Sequence, residues 1–191
     1  MPIETEAKFK VESHEPVRTQ LCALGATRVG FVTETNRIFD RPDNLLQDQG
    51  CGLRVRSKTH VDGSSGPSTL TYKGSVSDGP LKSREEWEVS TSDADALTEI
   101  LGRLGFAPIL TYDKRRETWR FDNCLIELDE PPYVGLFVEI EGPTVDLIRR
   151  VQSKLGLANA THVPSSYVHL LFQYCERHKL ESRVLGFADE Q

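Results

Sequence analysis

Residues 3–11 read "IETEAKFKV". Ile3, Thr5, Ala7, Phe9 and Val11 share one parity and are mostly apolar; Glu4, Glu6, Lys8 and Lys10 share the other and are all charged. Period two predicts a strand with one apolar and one charged face. Such a charged face has two readings. In the ordinary one it is wet, as one side of an antiparallel sheet commonly is. In the other it looks into an enclosed space that needs the charges. A single strand does not separate them.

Recurrence does. In "GLRVRSK", Leu53 and Val55 oppose Arg54 and Arg56; in "TLTYKG", Lys73 shares parity with Thr69 and Thr71 against Leu70 and Tyr72. In "SREEWEV", Trp87 and Val89 oppose Arg84, Glu86 and Glu88. Lys114 and Arg116 share a parity against Trp119 and Phe121, Glu127 and Asp129 oppose Ile126 and Leu128, and Glu139 and Glu141 oppose Leu136, Val138 and Ile140. Same-sign charges two residues apart on a strand lie about 7 Å from each other and repel. A solvated face has no reason to accumulate that cost strand after strand. A site for a multivalent anion and its metal does: rows of Arg and Lys hold phosphate oxygens, and rows of carboxylates hold a hard divalent cation. A barrel of about eight strands has room for one small ligand along its axis. The sheet is therefore expected to curl so that helices cover its apolar outside and its charged faces line a lumen.

The remaining features fit one domain. The 191 residues are 38% hydrophobic and 27% charged with net charge -6, which argues against a general nucleic-acid binder. No apolar run is long enough to span a bilayer, no signal peptide precedes the first strand, and Cys22, Cys51, Cys124 and Cys175 lack a CxxC pairing, so a cytoplasmic protein with reduced thiols and no membrane partner is expected. Helical periodicity runs over 16–24, 93–104 and 144–155, each stopping at a Leu-Gly step, and again over 166–178. Asp122-Asn123 is a tight-hairpin candidate. No linker divides the chain; a single domain over 1–178 and a C-terminal tail over 179–191 are expected. There is no P-loop, no paired His or Cys ligand spacing and no recognisable nucleophile motif.

Glu4-Thr5-Glu6-Ala7-Lys8 resembles the Glu-x-Glu-x-Lys signature of the CYTH family, the triphosphate tunnel metalloenzymes. The likeness continues in order through Arg54-Val55-Arg56, Lys73, Arg84 to Glu88, Lys114 to Arg116, Asp129, Glu139-Ile140-Glu141 and Ser166-Tyr167. "NRIFD", "LTYKG", "FVEIEG" and "SYVHLL" most resemble the class IV adenylate cyclase branch. The resemblance implies an α+β fold, an eight-stranded antiparallel β-barrel with a charged lumen and helices packed outside, forming a triphosphate tunnel in which Glu4, Glu6, Asp129, Glu139 and Glu141 contribute to binding Mg²⁺ or Mn²⁺. It implies that Lys8, Arg54, Arg56, Lys73, Arg84, Lys114 and Arg116 bind the triphosphate, with Lys8, Lys114 and Arg116 as the catalytic cations. Glu86, Glu88 and Glu127 join the lumen by parity.

The expected activity is metal-dependent conversion of ATP to cyclic AMP and pyrophosphate. Hydrolysis of inorganic triphosphate, a nucleoside triphosphate or thiamine triphosphate on the same tunnel is the alternative, and a non-catalytic nucleotide or polyphosphate binding module is a reading of another class. Neither Trp87 nor Trp119 shares the charged parity, so the tryptophans supply no platform for a thiamine ring. The partner is a small-molecule triphosphate, with a homodimer left open.

Overall fold

A computed structural model describes residues 3–77 and 79–187. The chain forms β1 (Ile3–Val11), α1 (Glu15–Ala23), β2 (Thr27–Asp40), the single turn α2 (Leu45–Asp48), β3 (Gly52–His60), β4 (Ser68–Lys73) and β5 (Lys82–Thr91). It continues through α3 (Ala94–Arg103), β6 (Ala107–Phe121), β7 (Cys124–Glu130), β8 (Leu136–Glu141), α4 (Val145–Lys154), α5 (Tyr167–His178) and β9 (Val184–Leu185). The strands hydrogen-bond in the order β2-β3-β4-β5-β1-β8-β7-β6, and β6 pairs back onto β2. All of these pairings are antiparallel, so the eight strands close into a barrel. The closing pair is the longest, running from Thr27 opposite Arg120 to Asp40 opposite Ala107.

Local chemistry sets the turns. Asp122 and Asn123 both take positive φ, 53° and 60°, the conformation of a type I′ hairpin turn, and join β6 to β7. Helices α1, α3 and α4 each end on the Leu-Gly step expected from the sequence, with the glycine left-handed. Phe106 N–H then reaches back to the Leu101 carbonyl at 3.0 Å, and Ala26 and Leu157 make the matching bonds to Leu21 and Gln152. Asp93 and Thr144 cap the starts of α3 and α4 with their side chains.

Apolar residues of the outward parity find helices. Ala7, Phe9, Trp119, Ile126, Leu128, Val138 and Ile140 are buried beneath Val17 and Leu21 of α1 and Ile148 and Val151 of α4. Phe39 and Val55 are covered by Leu101 of α3. Two features differ from the simple expectation. Trp87 and Val89, on the outer face of β5, remain 53% and 60% exposed, with no helix packed over them among the described residues. Helix α5 does not lie on the barrel wall. Its Tyr167, Leu171 and Cys175 pack on Ile38, Leu110, Tyr112 and Phe137, which share the parity of the lumen charges. One end of the lumen is thus apolar, and α5 stands against it. The tail, which lacks periodicity, contributes β9, a two-residue strand parallel to β6 that buries Leu185.

Gly142, just after β8, lies where β7 and α4 meet. A Cβ there would approach Cys124 Sγ to 2.7 Å and Ile148 Cγ1 to 3.1 Å. Gly142→Ala is expected to lower stability by about 1–3 kcal/mol, the usual cost of overpacking. Urea unfolding would measure it, and the loss should shrink in a Cys124→Ala background, which removes the closest obstructing atom.

Candidate active site: a charged tunnel

Strand register brings the charged parity together. On β1, Glu4 faces Arg84, Glu6 stands between Lys82 and Glu141, and Lys8 lies beside Glu139. Glu127 pairs with Glu139, Asp129 with Arg116, Glu34 with Lys114, Asn36 with Arg56, and Glu86 with Lys73. The enclosed cavity has a volume of about 570 Å³. It is lined by Glu4, Glu6, Lys8, Arg54, Arg56, Lys73, Arg84, Glu86, Glu88, Lys114, Arg116, Glu139 and Glu141. Of the residues expected from the sequence, Asp129 and Glu127 alone are not among the lining residues; both contact Arg116.

Arg116 is the centre of one cluster. It donates from Nε and Nη2 to the two oxygens of Asp129 at 2.6 and 2.5 Å, from Nη2 to Glu139 at 2.7 Å, and pairs through Nη1 with Glu127 at 2.5 Å. Asp129, with no exposure, also accepts from Lys114 at 3.1 Å and from the Tyr167 hydroxyl at 2.9 Å. Burial works against the Arg116 charge, but Asp129 and Glu127 outweigh it and hold its pKa well above the ordinary value. Glu139 is also opposed by burial yet held well below the usual carboxylate range by Lys8 and Arg116. Glu127 goes the other way: burial, with Asp129 and Glu139 nearby, pushes it up to about 7 despite Arg116. Oxygens of Glu127, Asp129 and Glu139 converge closely enough to suggest a metal site. The guanidinium of Arg116 already occupies that convergence, so a cation is supplied there by the chain.

A second acidic group lies along β1 and β8. Glu4 pairs with Lys73 at 2.9 Å and Glu6 with Lys82 at 2.6 Å; Lys73 also contacts Glu86. Glu141 makes no ion pair or hydrogen bond among the described residues. Burial and the neighbouring Glu4, Glu6 and Glu86 push its pKa up to about 7. Mg²⁺ and Mn²⁺ take hard oxygen donors, and Glu141, close to Glu4 and Glu6 and without a cation of its own, adds a carboxylate of that kind to this group.

Several lumen residues escaped the sequence reading. Lys82 lines the cavity and shares parity with Arg84, so one more step of the same count would have found it. Glu34 and Asn36 alternate in "TETNRIFD" and are almost fully buried. Glu34 lies 3.1 Å from Arg56 and 3.2 Å from Lys114, and Asn36 accepts from Arg56 at 2.9 Å. Burial opposes the Glu34 charge, but Lys114 and Arg56 keep it far below the usual range. Aromatic lining is also present, from Tyr112, Tyr167 and Phe172, while Trp119 is buried in the outer core and Trp87 faces outward.

The cavity is not charged throughout. Ile38, opposite Arg54 in the β2–β3 register, lines it together with Leu46, Val76, Ile109, Val168 and Phe172, and with Gln47, Cys51 and His169. Asp40 shapes the α2 side of this region, accepting backbone N–H bonds from Arg41, Leu46 and Gln47 at 2.7–3.0 Å. On the other side, residues 161–163 bond to β1, with Val163 N–H on the Lys8 carbonyl at 2.8 Å, and lead the chain into α5.

Glu141 makes stability depend on pH. Its carboxyl keeps a proton in the folded state up to about 7, whereas the unfolded chain loses it near 4.3. Stability contributed by the neutral form is therefore lost as pH rises through that window. Glu141→Gln is expected to raise the melting temperature more at pH 8 than at pH 5, measured in chelator. An equal gain at both values would refute the crowding of these carboxylates.

Comparison with known proteins follows the geometry. The family model described as the CYTH domain matches residues 2–167. A candidate adenylate cyclase of Methanocaldococcus jannaschii is 29% identical over 145 residues, covering 76% of this chain and 79% of its own. Adenylate cyclase CyaB of Aeromonas hydrophila is 26% identical over 177 residues, covering 86% of each. Among solved structures, the PH1819 protein of Pyrococcus horikoshii has a TM-score of 0.77 at 26% identity, covering 90% of this chain and 99% of its own. The Hippeastrum protein HpAC1, named for adenylyl cyclase and described as revealing a dominant triphosphatase activity, shares the fold. Its TM-score is 0.65 at 19% identity, over 90% of this chain and 95% of its own. With the ordered motifs, the closed barrel and a family model spanning nearly all of it, the chain belongs to the CYTH family.

Proposed function

We propose that the tunnel is a metal-dependent active site for a nucleoside triphosphate, and that it converts ATP to cyclic AMP and pyrophosphate. The observation that carries the nucleotide is the apolar lining of Ile38, Leu46, Val76, Ile109, Val168 and Phe172 in the same cavity as Arg54 and Lys73. An inorganic triphosphate has nothing to place there; a base and ribose do. The adenylate cyclase names of two relatives support the same reading.

In this reading Lys8, Arg54, Arg56, Lys73, Arg84, Lys114 and Arg116 hold the triphosphate oxygens. Lys8, Lys114 and Arg116 supply the fixed positive charge that stabilises the negative charge on the oxygens of the reacting phosphoryl group. Glu4, Glu6 and Glu141 would hold Mg²⁺ or Mn²⁺, with Glu139 adjacent; when bound, the metal offsets phosphate charge and polarises the reacting group. Asp129, saturated by Arg116, Lys114 and Tyr167, orients those cations. Glu34 and Asn36 do the same for Arg56 and Lys114. Glu86, Glu88 and Glu127 balance the remaining lumen charge. Cyclisation needs the ribose 3′-oxygen in line with the α-phosphorus at about 3–3.5 Å, which is the work assigned to the apolar lining.

Triphosphate hydrolysis is the second reading. The activity described for the Hippeastrum protein on this fold favours it, and a positioned water asks less of the site than a held ribose. Incubation with ATP, and separately with inorganic triphosphate, in Mg²⁺ or Mn²⁺ separates the two. Cyclic AMP with pyrophosphate, abolished by EDTA, is the expected outcome. ADP or free phosphate without cyclic AMP, with faster turnover of inorganic triphosphate, would replace cyclase by triphosphatase.

Glu4→Gln with Glu6→Gln tests the carboxylates. It is expected to lower kcat/KM by at least about 100-fold, the scale on which charge-stabilising groups act, with circular dichroism and cooperative melting retained. Surviving activity would remove these residues from the metal set.

A further inference from the structure

Tyr167 begins α5 and is buried. The Lys8 ammonium lies 4.0 Å from its ring centroid and the Lys114 ammonium 5.1 Å. Its hydroxyl donates to Asp129 at 2.9 Å, and Phe137 meets the ring edge-on at 5.3 Å. Two residues earlier, the Ser165 carbonyl accepts from Lys8 at 2.8 Å. One short segment thus touches two of the cations assigned to the triphosphate.

Both ammonium groups also have carboxylates within reach. Lys8 is 3.4 Å from Glu139; Lys114 is 3.2 Å from Glu34 and 3.1 Å from Asp129. A lysine fully docked on a carboxylate is neutralised and must be pulled away before it can hold a phosphate oxygen. An aromatic face attracts the ammonium without cancelling its formal charge. The ring therefore competes with the carboxylates for the position of the cation.

We propose that Tyr167 is a positioning residue for triphosphate binding: its ring face shares the ammonium groups of Lys8 and Lys114 with Glu139, Glu34 and Asp129, so that the carboxylates alone do not fix where the two cations sit. The inference rests on the tunnel being a polyphosphate site. It assigns α5 a role beyond closing the apolar end, because the helix carries the ring that sets the two lysines.

The competing account is that Tyr167 only fills space among Phe137, Leu171 and the other residues at that end. Electron withdrawal from the ring separates the two at constant shape. Tyr167→Phe is made first, then mono-, di- and trifluorinated phenylalanine are placed at position 167 in the full chain. Binding of inorganic triphosphate is measured by calorimetry, with melting temperature recorded for each protein. The unfluorinated variant is expected to bind within about threefold of wild type. Affinity should then fall stepwise with fluorination, by about tenfold across the series, the scale of a desolvated cation–π contact, while melting temperatures stay together. Tyr167→Leu, if it folds, should bind as weakly as the trifluorinated protein. Equal affinity across the fluorinated series, with wild type binding normally, overturns the positioning role and leaves the polyphosphate reading standing. Wild type that fails to bind triphosphate removes that reading and this inference with it.

Discussion

The structure depends on neutralising buried charge. Inside the barrel, ionised groups have lost most of their water, and an unpaired charge there is costly. The register answers by setting acids against bases across strand pairs: Glu4 against Arg84, Glu6 against Lys82, Lys8 against Glu139, Lys114 against Glu34, Arg116 against Asp129. Shifting any strand by one residue would turn its charged row outward and its apolar row inward. The electrostatics and the packing of α1, α3 and α4 therefore enforce the same alignment.

The pairing is uneven, and the unevenness gives the site its polarity. Around Arg116 the chain supplies both signs, and Asp129 is saturated. Along β1 and β8, Glu4, Glu6 and Glu139 have basic partners, and the Glu141 carboxyl stands without one among the described residues. The two regions look alike as sets of carboxylates, yet one is built around a guanidinium and the other leaves one carboxyl without a cation. The same cavity also has an apolar lining. A ligand with a polyanionic end and an uncharged end matches that pair of environments, as a simple anion does not.

Much of this was legible in the chain. Period two assigns each residue to a face, and doubled like charges mark that face as enclosed. The Leu-Gly helix stops and the Asp122-Asn123 turn follow from backbone conformation alone and appear as expected. What parity does not carry is position along the axis. Ile38, Leu110, Tyr112 and Phe137 share the parity of Glu34, Lys114 and Glu139, but they meet α5 at the end of the lumen. Glu34 and Asn36 went unnoticed because their strand shows no doubled charge. Trp87 and Val89 have the outward parity expected of covered residues, yet covering needs a helix nearby, which a strand pattern cannot supply. A two-residue strand such as β9 is too short to show any period.

The closure of β6 onto β2 also governs how the chain reaches this state. Strand β1 pairs with β5 and β8, and β2 waits for β6, so the ring is closed by pairings between residues far apart in sequence. While β6 is missing, Glu34 has Arg56 but lacks Lys114. A half-built barrel gains little over an open, hydrated sheet. Such non-local topology slows folding. Synthesis from the N-terminus leaves the first five strands waiting until the remaining strands emerge, with their edges open to pairing with other chains. The two-sided charge that serves a ligand in the finished tunnel acts during that wait as a solubilising surface, keeping the unfinished sheet in water until its own last strands arrive.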